Sequence, residues 1–299
     1  VHEGWRWWWW LGAWEALRLA CDLCGWTSLG AVVVASASLV QVAAWSGFVA
    51  TRLGVPVNEG DLPRRMWLGV PAAVWLLVAV YTATFFTLNW RLWETLLIPH
   101  GDSAMYEEHV WNLLHGKGFR SYLDQGRLFL GEHIQVIHVG LVPLYLLWPS
   151  HLLLEFAQSA ALGLTAIPAW RLAQRSTGSD RAAILFAAAV LCYLPLQFLD
   201  IAIDFKTFRP NAFEIPFLLF GLDALERGKY RQFSVWAVLS LLCQEDAAPV
   251  LAPLGVWIAL TRSSEPTGAS FFTRRRMFGV GLALLAIGAT LLRAAWRAR

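Results

Sequence analysis

Long apolar runs separated by short polar breaks dominate this chain, and runs of about 20 apolar residues are the unit that crosses a bilayer as a helix. Leu29–Ala50, Met66–Leu88, His151–Trp170, Ala182–Leu199, Asn211–Leu225 and Met277–Leu292 are the clear candidates. Ile134–Trp148 is shorter and contains Pro143, which suits a re-entrant or interfacial helix. Phe233–Leu260 is long enough to span but carries the tripeptide QED at residues 244–246. One straight helix would strand Glu245 and Asp246 in lipid, so the pattern predicts two short helices meeting at an outward-facing turn.

Basic residues orient these segments, because cytoplasmic loops collect Lys and Arg. Arg52, Arg64 and Arg65 mark one inner loop, and Arg171, Arg175 and Arg181 a second. Arg227, Lys229 and Arg231 mark a third, and Arg262 with Arg274–Arg276 a fourth. The polar stretches Asn89–His133 and Asp200–Arg209 then lie on the outer side.

Composition agrees with this layout. Of 299 residues, 57% are hydrophobic and 15% charged, well below the roughly 25% charge of a soluble domain. The expected class is all-α: a polytopic transmembrane helical protein in contact with membrane lipids. The 18 Trp suit the headgroup interface. A net charge of +3 with scattered basic residues argues against nucleic acid as a partner. Cys21 and Cys24 form a lone CxxC with no second pair, and Cys192 and Cys243 lie in apolar runs, so no zinc or redox centre is indicated. VHEGWRWWWW lacks the short apolar core and cleavage site of a signal peptide and reads as a Trp-rich interfacial segment. LLRAAWRAR follows directly on the last apolar run, which reads as truncation or as one unit of a longer membrane protein.

Against this apolar background, HGDSAMYEEHVWNLLHGKGF (residues 100–119) packs three acids and three histidines into one outer segment. Asp102 reads as a helix N-cap, with Gly116 and Gly118 as the stop. Tyr106, Val110, Leu113 and Leu114 form an apolar stripe at helical spacing, suited to an amphipathic helix on the membrane surface. Asp102 and His109 share one face, while Glu107 and Glu108 point elsewhere. Further outer polar groups are His133 with Glu132, Asp204, Lys206 and Arg209 in DFKTFRPNAFE, and Glu245 with Asp246. Carboxylates beside cations suit binding a lipid-linked phosphate while a carboxylate takes a proton from an acceptor. Each cluster also has a purely structural reading: Asp102 as a cap, Lys206 and Arg209 as snorkelling cations, His133 as a local cap.

The island, LGEHIQVIHVGLVPLYLLWPS, DFKTFRPNAFEIPFLLFGLDALERGKYRQF and LLCQEDAAPVLAPLGVWIAL together resemble the bacterial DUF2079 membrane proteins. That family carries a D-x-x-x-F-[DE]-Q-x-x-W-N pattern with a following HGxGF, then GDH-like, DFHPE-like and KED elements. The resemblance covers about residues 66–262. It divides the chain into a Trp-rich segment with an added span (1–65), the membrane domain (66–262), and a linker with a further helix (263–299).

The family is similar in layout to the GT-C glycosyltransferases, which use polyprenyl-phosphate sugars and place an acid at the start of the first extracytoplasmic loop. The resemblance therefore implies a GT-C-like fold in a bacterial cytoplasmic (inner) membrane, with its polar site on the extracytoplasmic face. Asp102 becomes the candidate base and Glu107 the next acid in the pattern. Lys206 and Arg209 become candidates to hold the donor phosphate, with His109, His133, Asp204, Glu245 and Asp246 completing a substrate site. Two departures stand out: DFKTFRPNAFE replaces the histidine of DFHPE, and Gln244 replaces the lysine of KED. No cofactor is implied; a divalent cation could sit among the carboxylates and histidines, although no ligand spacing commits to one. The competing classes are a transporter, for which QED in a broken helix pair would serve equally well, and a non-catalytic lipid-binding protein.

Overall fold

The computed structural model describes residues 66–95, 97, 101–123, 125–126, 135–201, 208–244, 247–260 and 274–297. The expected span Leu29–Ala50 and the polar residues His133, Asp204, Lys206, Glu245 and Asp246 lie outside them. The described chain is helical apart from one small hairpin, in which Met66–Trp67 (β1) pairs antiparallel with Val70–Pro71 (β2). Its turn residues Leu68 (φ 51°) and Gly69 (φ 71°) are both left-handed, the conformation that matches the twist of a two-residue hairpin.

Helix α1 (Ala72–Glu94) follows directly and, with 23 residues, is about 34 Å long, enough to cross a bilayer. Its buried face is Val74, Val78, Tyr81 and Asn89, while Leu76 and Val80 point outward. After the island helix α2 (Gly101–Leu114) come a 3-10 turn (Ile137–Leu141) and the single turn α3 (Val142–Tyr145). The apolar stretch around Pro143 is therefore a pair of short turns and not a span.

Helices α4 (His151–Leu164) and α5 (Ala166–Thr177) together make a 27-residue membrane-length segment. Their break has a local cause: the Pro168 ring has no amide to donate and crowds the carbonyl four residues earlier, at Leu164. Gly178 (φ 68°) ends α5 and the Ser179 hydroxyl caps α6 (Asp180–Leu191) by accepting from the Ala182 amide, so the chain reverses within a few residues. Helix α7 (Leu194–Ile201) continues at a 44° bend, which splits the expected span Ala182–Leu199 in two.

A 3-10 turn at Pro210–Phe213 leads into α8 (Glu214–Glu226), then α9 (Tyr230–Cys243), α10 (Ala248–Leu260) and α11 (Arg274–Arg297). At 13 or 14 residues each, α8, α9 and α10 are only about 20 Å long. The expected break at QED is present: Gln244 is extended (φ −163°, ψ 155°) and ends α9 before α10 begins. Among the described residues, two helices are long and apolar enough to cross a membrane, or three if the bent α6–α7 pair counts as one. Of the six expected spans, Leu29–Ala50 lies outside the described residues, Ala182–Leu199 is bent by 44°, and Asn211–Leu225 holds a helix, α8, of only 13 residues.

The core has three parts. One joins α1 to α4–α7, a second joins α8–α11, and a third packs α2, the 3-10 turn, α3 and the start of α4 around Phe208. The third part carries the site.

Candidate functional site

Helix α2 begins at Gly101, two residues before the expected start at Ser103, so Asp102 stands in the first turn and not at the N-cap. The helix stops where predicted, at Gly116 (φ 71°) and Gly118 (φ 74°). Its apolar stripe is spent inside the protein: Tyr106 and Val110 are buried, and Leu113 and Leu114 pack against the same core. Its other faces carry exposed residues such as Trp111, 40% exposed.

The buried face of α2 gathers the other polar motifs. The Tyr106 hydroxyl donates to Gln135 Oε1 at 2.7 Å, and Gln135 Nε2 donates to Gln244 Oε1 at 2.8 Å. The Val136 amide also donates to the Leu242 carbonyl at 2.9 Å, docking this strand of chain on the end of α9. Phe208, fully buried, packs its ring against Tyr106 at 5.5 Å. The described parts of the island, of the LGEHIQVIH stretch, of DFKTFRPNAFE and of the QED turn thus meet in one place.

Two imidazoles sit at the centre. His109 stacks on Phe119 at 4.7 Å, and its ring centre lies 5.8 Å from that of His138. His138 is also 4.9 Å from Phe119 and edge-on to Tyr106 at 5.3 Å. Both ring nitrogens of His138 are buried with no hydrogen-bond partner among the described residues. Burial, and then the neighbouring His109, push the His138 pKa down to about 3, so the ring is neutral at physiological pH.

The two glutamates face away from this centre, as the spacing requires. Glu107, half-buried, accepts from the Tyr145 hydroxyl at 2.9 Å. Burial, and then this bond to Glu107, push the Tyr145 pKa up. Glu108 is committed to local structure, accepting from the Tyr122 amide at 2.8 Å. Asn112 donates to the Arg120 carbonyl at 2.7 Å, folding the loop back on the helix.

Arg209 is half-buried beside Phe208, and its backbone amide donates to Gln158 Oε1 at 2.6 Å. Gln158 belongs to a second polar network just beneath. Its Nε2 donates to the Asp200 carbonyl at 3.0 Å, and the Asp200 carboxylate accepts from Ser159 at 2.8 Å and from Asn89 at 3.3 Å. Among the described residues no group of three or more His, Cys, Asp or Glu side chains is placed to hold a metal. A small cavity of about 50 Å³ between α8, α9 and α10 is lined by Phe217, Leu218, Leu222, Val250 and other apolar groups, which suits it to packing or acyl chains and not to chemistry.

The family model described as "Predicted membrane protein (DUF2079)" matches residues 92–296. The chain belongs to that family. No curated protein and no solved structure matches it. The DUF2079 match starts in the last turn of α1 and runs through α11, so the island, His138, Arg209 and the QED turn all lie inside it. With its membrane-length apolar helices, this DUF2079 member is an integral membrane protein of all-α architecture.

Of the residues expected from sequence, the structure places His109 at the centre of the α2 core, Arg209 next to Phe208 of that core with its amide on Gln158, and Glu107 on an adjoining face. Asp102 contributes its position on α2. Sequence reasoning missed His138, although it stands in the quoted IQVIH, because its partner His109 is 29 positions away in the chain and no local periodicity links them. It also missed Asn89, Gln158, Ser159 and Asp200. Their signal was available: each is a polar residue inside or at the edge of an apolar run, where burial has a cost unless partners exist.

Proposed function

We propose that this protein is a GT-C-like glycosyltransferase that moves a sugar from a polyprenyl-phosphate donor to an extracytoplasmic acceptor, in the cytoplasmic membrane of a bacterium. The observation that carries the reading is the meeting of the four motif stretches on the buried face of α2, held by the Tyr106–Gln135–Gln244 chain and by Phe208. This meeting supports the reading because functional groups carried by separate segments need one rigid frame to act together.

In this reading Asp102 takes the proton of the acceptor hydroxyl, with Glu107 as the nearby second acid. The freed oxygen attacks the anomeric carbon, a new C–O bond forms, and the bond from that carbon to the phosphate oxygen breaks. The electron pair leaves on the phosphate, where Lys206 and Arg209 offset the negative charge. His109, His133, Asp204, Glu245 and Asp246 line the acceptor and sugar side. Gln244, in place of a lysine, supplies hydrogen bonding without charge and leaves phosphate neutralisation to Lys206 and Arg209.

Mass spectrometry of the detergent-purified protein tests this. A polyprenyl-phosphate lipid, with or without its sugar, is expected to co-purify with the wild-type protein and to fall roughly tenfold or more in Arg209→Ala, as loss of a charge-assisted phosphate contact predicts. Asp102→Asn should keep the lipid and lose transfer. Wild-type protein free of any such lipid, or an Arg209→Ala variant that retains it fully, counts against the assignment.

One observation favours transport instead: Asp200 is buried where α7 meets α1 and α4, and membrane-embedded acids often lie on ion paths. Proton or solute flux in proteoliposomes that disappears in Asp200→Asn would support that second reading.

A further inference from the structure

The Asn89–Ser159–Asp200–Gln158 network is not used by the proposed chemistry, and its geometry gives it a purpose. Gln158 is fully buried and spends both ends of its amide on backbone. Its Nε2 donates to the carbonyls of Asp200 (3.0 Å) and Leu199 (3.4 Å) at the end of α7, and its Oε1 accepts from the Arg209 amide at 2.6 Å. One side chain therefore ties the two ends of the 202–207 segment to α4. The α7 end is itself fixed, because Asp200 Oδ1 accepts from Ser159 on α4 and from Asn89 on α1. On the other side of Arg209, Pro210 begins the 3-10 turn that leads into α8. Phe208, the residue before it, is wedged against Tyr106.

We propose that Gln158, backed by Asp200, is a positioning residue that sets the register of Arg209, so that its guanidinium meets a lipid phosphate from one fixed backbone position. This rests on the reading of Arg209 as a phosphate-binding group. The physical reason is preorganisation: a long, flexible cation binds a phosphate well only where its backbone does not have to be ordered at the moment of binding.

The test uses the full chain in detergent, with farnesyl phosphate as the probe, and compares Gln158→Met, Arg209→Ala, the double variant and Gln197→Met. Gln197 bonds the Leu191 carbonyl at 3.0 Å and so controls for general loosening near α7. Hydrogen exchange at the Arg209 amide is expected to speed up in Gln158→Met and stay unchanged in Gln197→Met. Probe affinity should fall roughly tenfold or more in Gln158→Met, with the double variant no weaker than Arg209→Ala alone.

Unchanged affinity in Gln158→Met, while Arg209→Ala loses the probe, overturns the positioning role and leaves the phosphate reading standing. Losses that add in the double variant also overturn it, because Gln158 would then act elsewhere. A wild-type protein that does not bind the probe, or an Arg209→Ala variant that binds it normally, overturns both.

Discussion

His138 is the residue whose surroundings are hardest to account for by packing alone. A neutral imidazole whose two nitrogens are buried with no partner among the described residues costs stability of the order of 1–3 kcal/mol per group. The site tolerates it, which is common where structure is held for function and not for stability alone. A pH dependence follows. The folded-state pKa of about 3 lies below the ordinary value of 6.5, so the unfolded chain takes up this proton first as pH falls. Stability from this group is intact above about 6.5 and declines as pH drops toward 3, by about 2 kcal/mol at pH 5. His138→Phe, which suits the ring-lined box, should lower the apparent melting temperature less between pH 7.5 and 5 than the wild type does. An equal acid-induced drop in both would show that His138 does not carry the effect.

At the scale of elements, α10 and α11 approach each other backbone to backbone. A Cβ at Gly255 would lie 2.6 Å from the Ala283 amide nitrogen, and one at Gly279 would lie 2.5 Å from that of Ala259. The two helices touch backbone to backbone through paired small-xxx-small faces, Gly255 with Ala259 and Gly279 with Ala283, the usual way for helices to associate in lipid. Gly281, two residues on, has open space around it. Gly255→Leu or Gly279→Leu should therefore separate the pair and destabilise by about 3 kcal/mol or more, while Gly281→Leu leaves the melting temperature nearly unchanged. Similar shifts in all three would sink this account of the packing.

These two helices also show what was legible beforehand. The apolar runs marked α1 and α11, although the first residues of the run expected from Met66 form the hairpin and α1 runs from Ala72 to Glu94. The misfit of QED in lipid marked the break between α9 and α10. The α4–α5 kink and the α6–α7 bend were not legible, because they depend on where Pro168 and Pro195 fall within a run and not on its length. The site was legible as motifs but not as contacts. Gln135 and Gln244 are separated by 109 positions, and only the fold brings their amides within 2.8 Å.

For the whole molecule, the distribution of charge argues for one orientation. Asp223 is fully buried and holds Arg175 and Arg227 at 2.6 Å each, with Arg171 at 3.6 Å. Arg175 also reaches Glu226 at 2.9 Å. This clamp ties the end of α5 to the end of α8, while the α2 site packs on the start of α4, about 30 Å away along the same membrane-length segment. The arginines are each about a third exposed at their side chains, and Arg181, Lys229 and Arg231 follow at the adjoining starts of α6 and α9. The positive-inside rule predicts that such a basic end faces the cytoplasm, and the proposed function requires α2 on the opposite, outer face, where a lipid-linked donor and an extracytoplasmic acceptor would meet. Single cysteines test the topology in a chain with Cys21, Cys24, Cys192 and Cys243 replaced. Tyr122→Cys, at a position 86% exposed next to the site, should react with a membrane-impermeant maleimide in intact cells. Lys229→Cys, at the exposed turn between α8 and α9, should react only after permeabilisation. The reverse pattern would place the site in the cytoplasm, where a nucleotide sugar, not a polyprenyl-phosphate sugar, would be the accessible donor, and the proposed chemistry would fall with it.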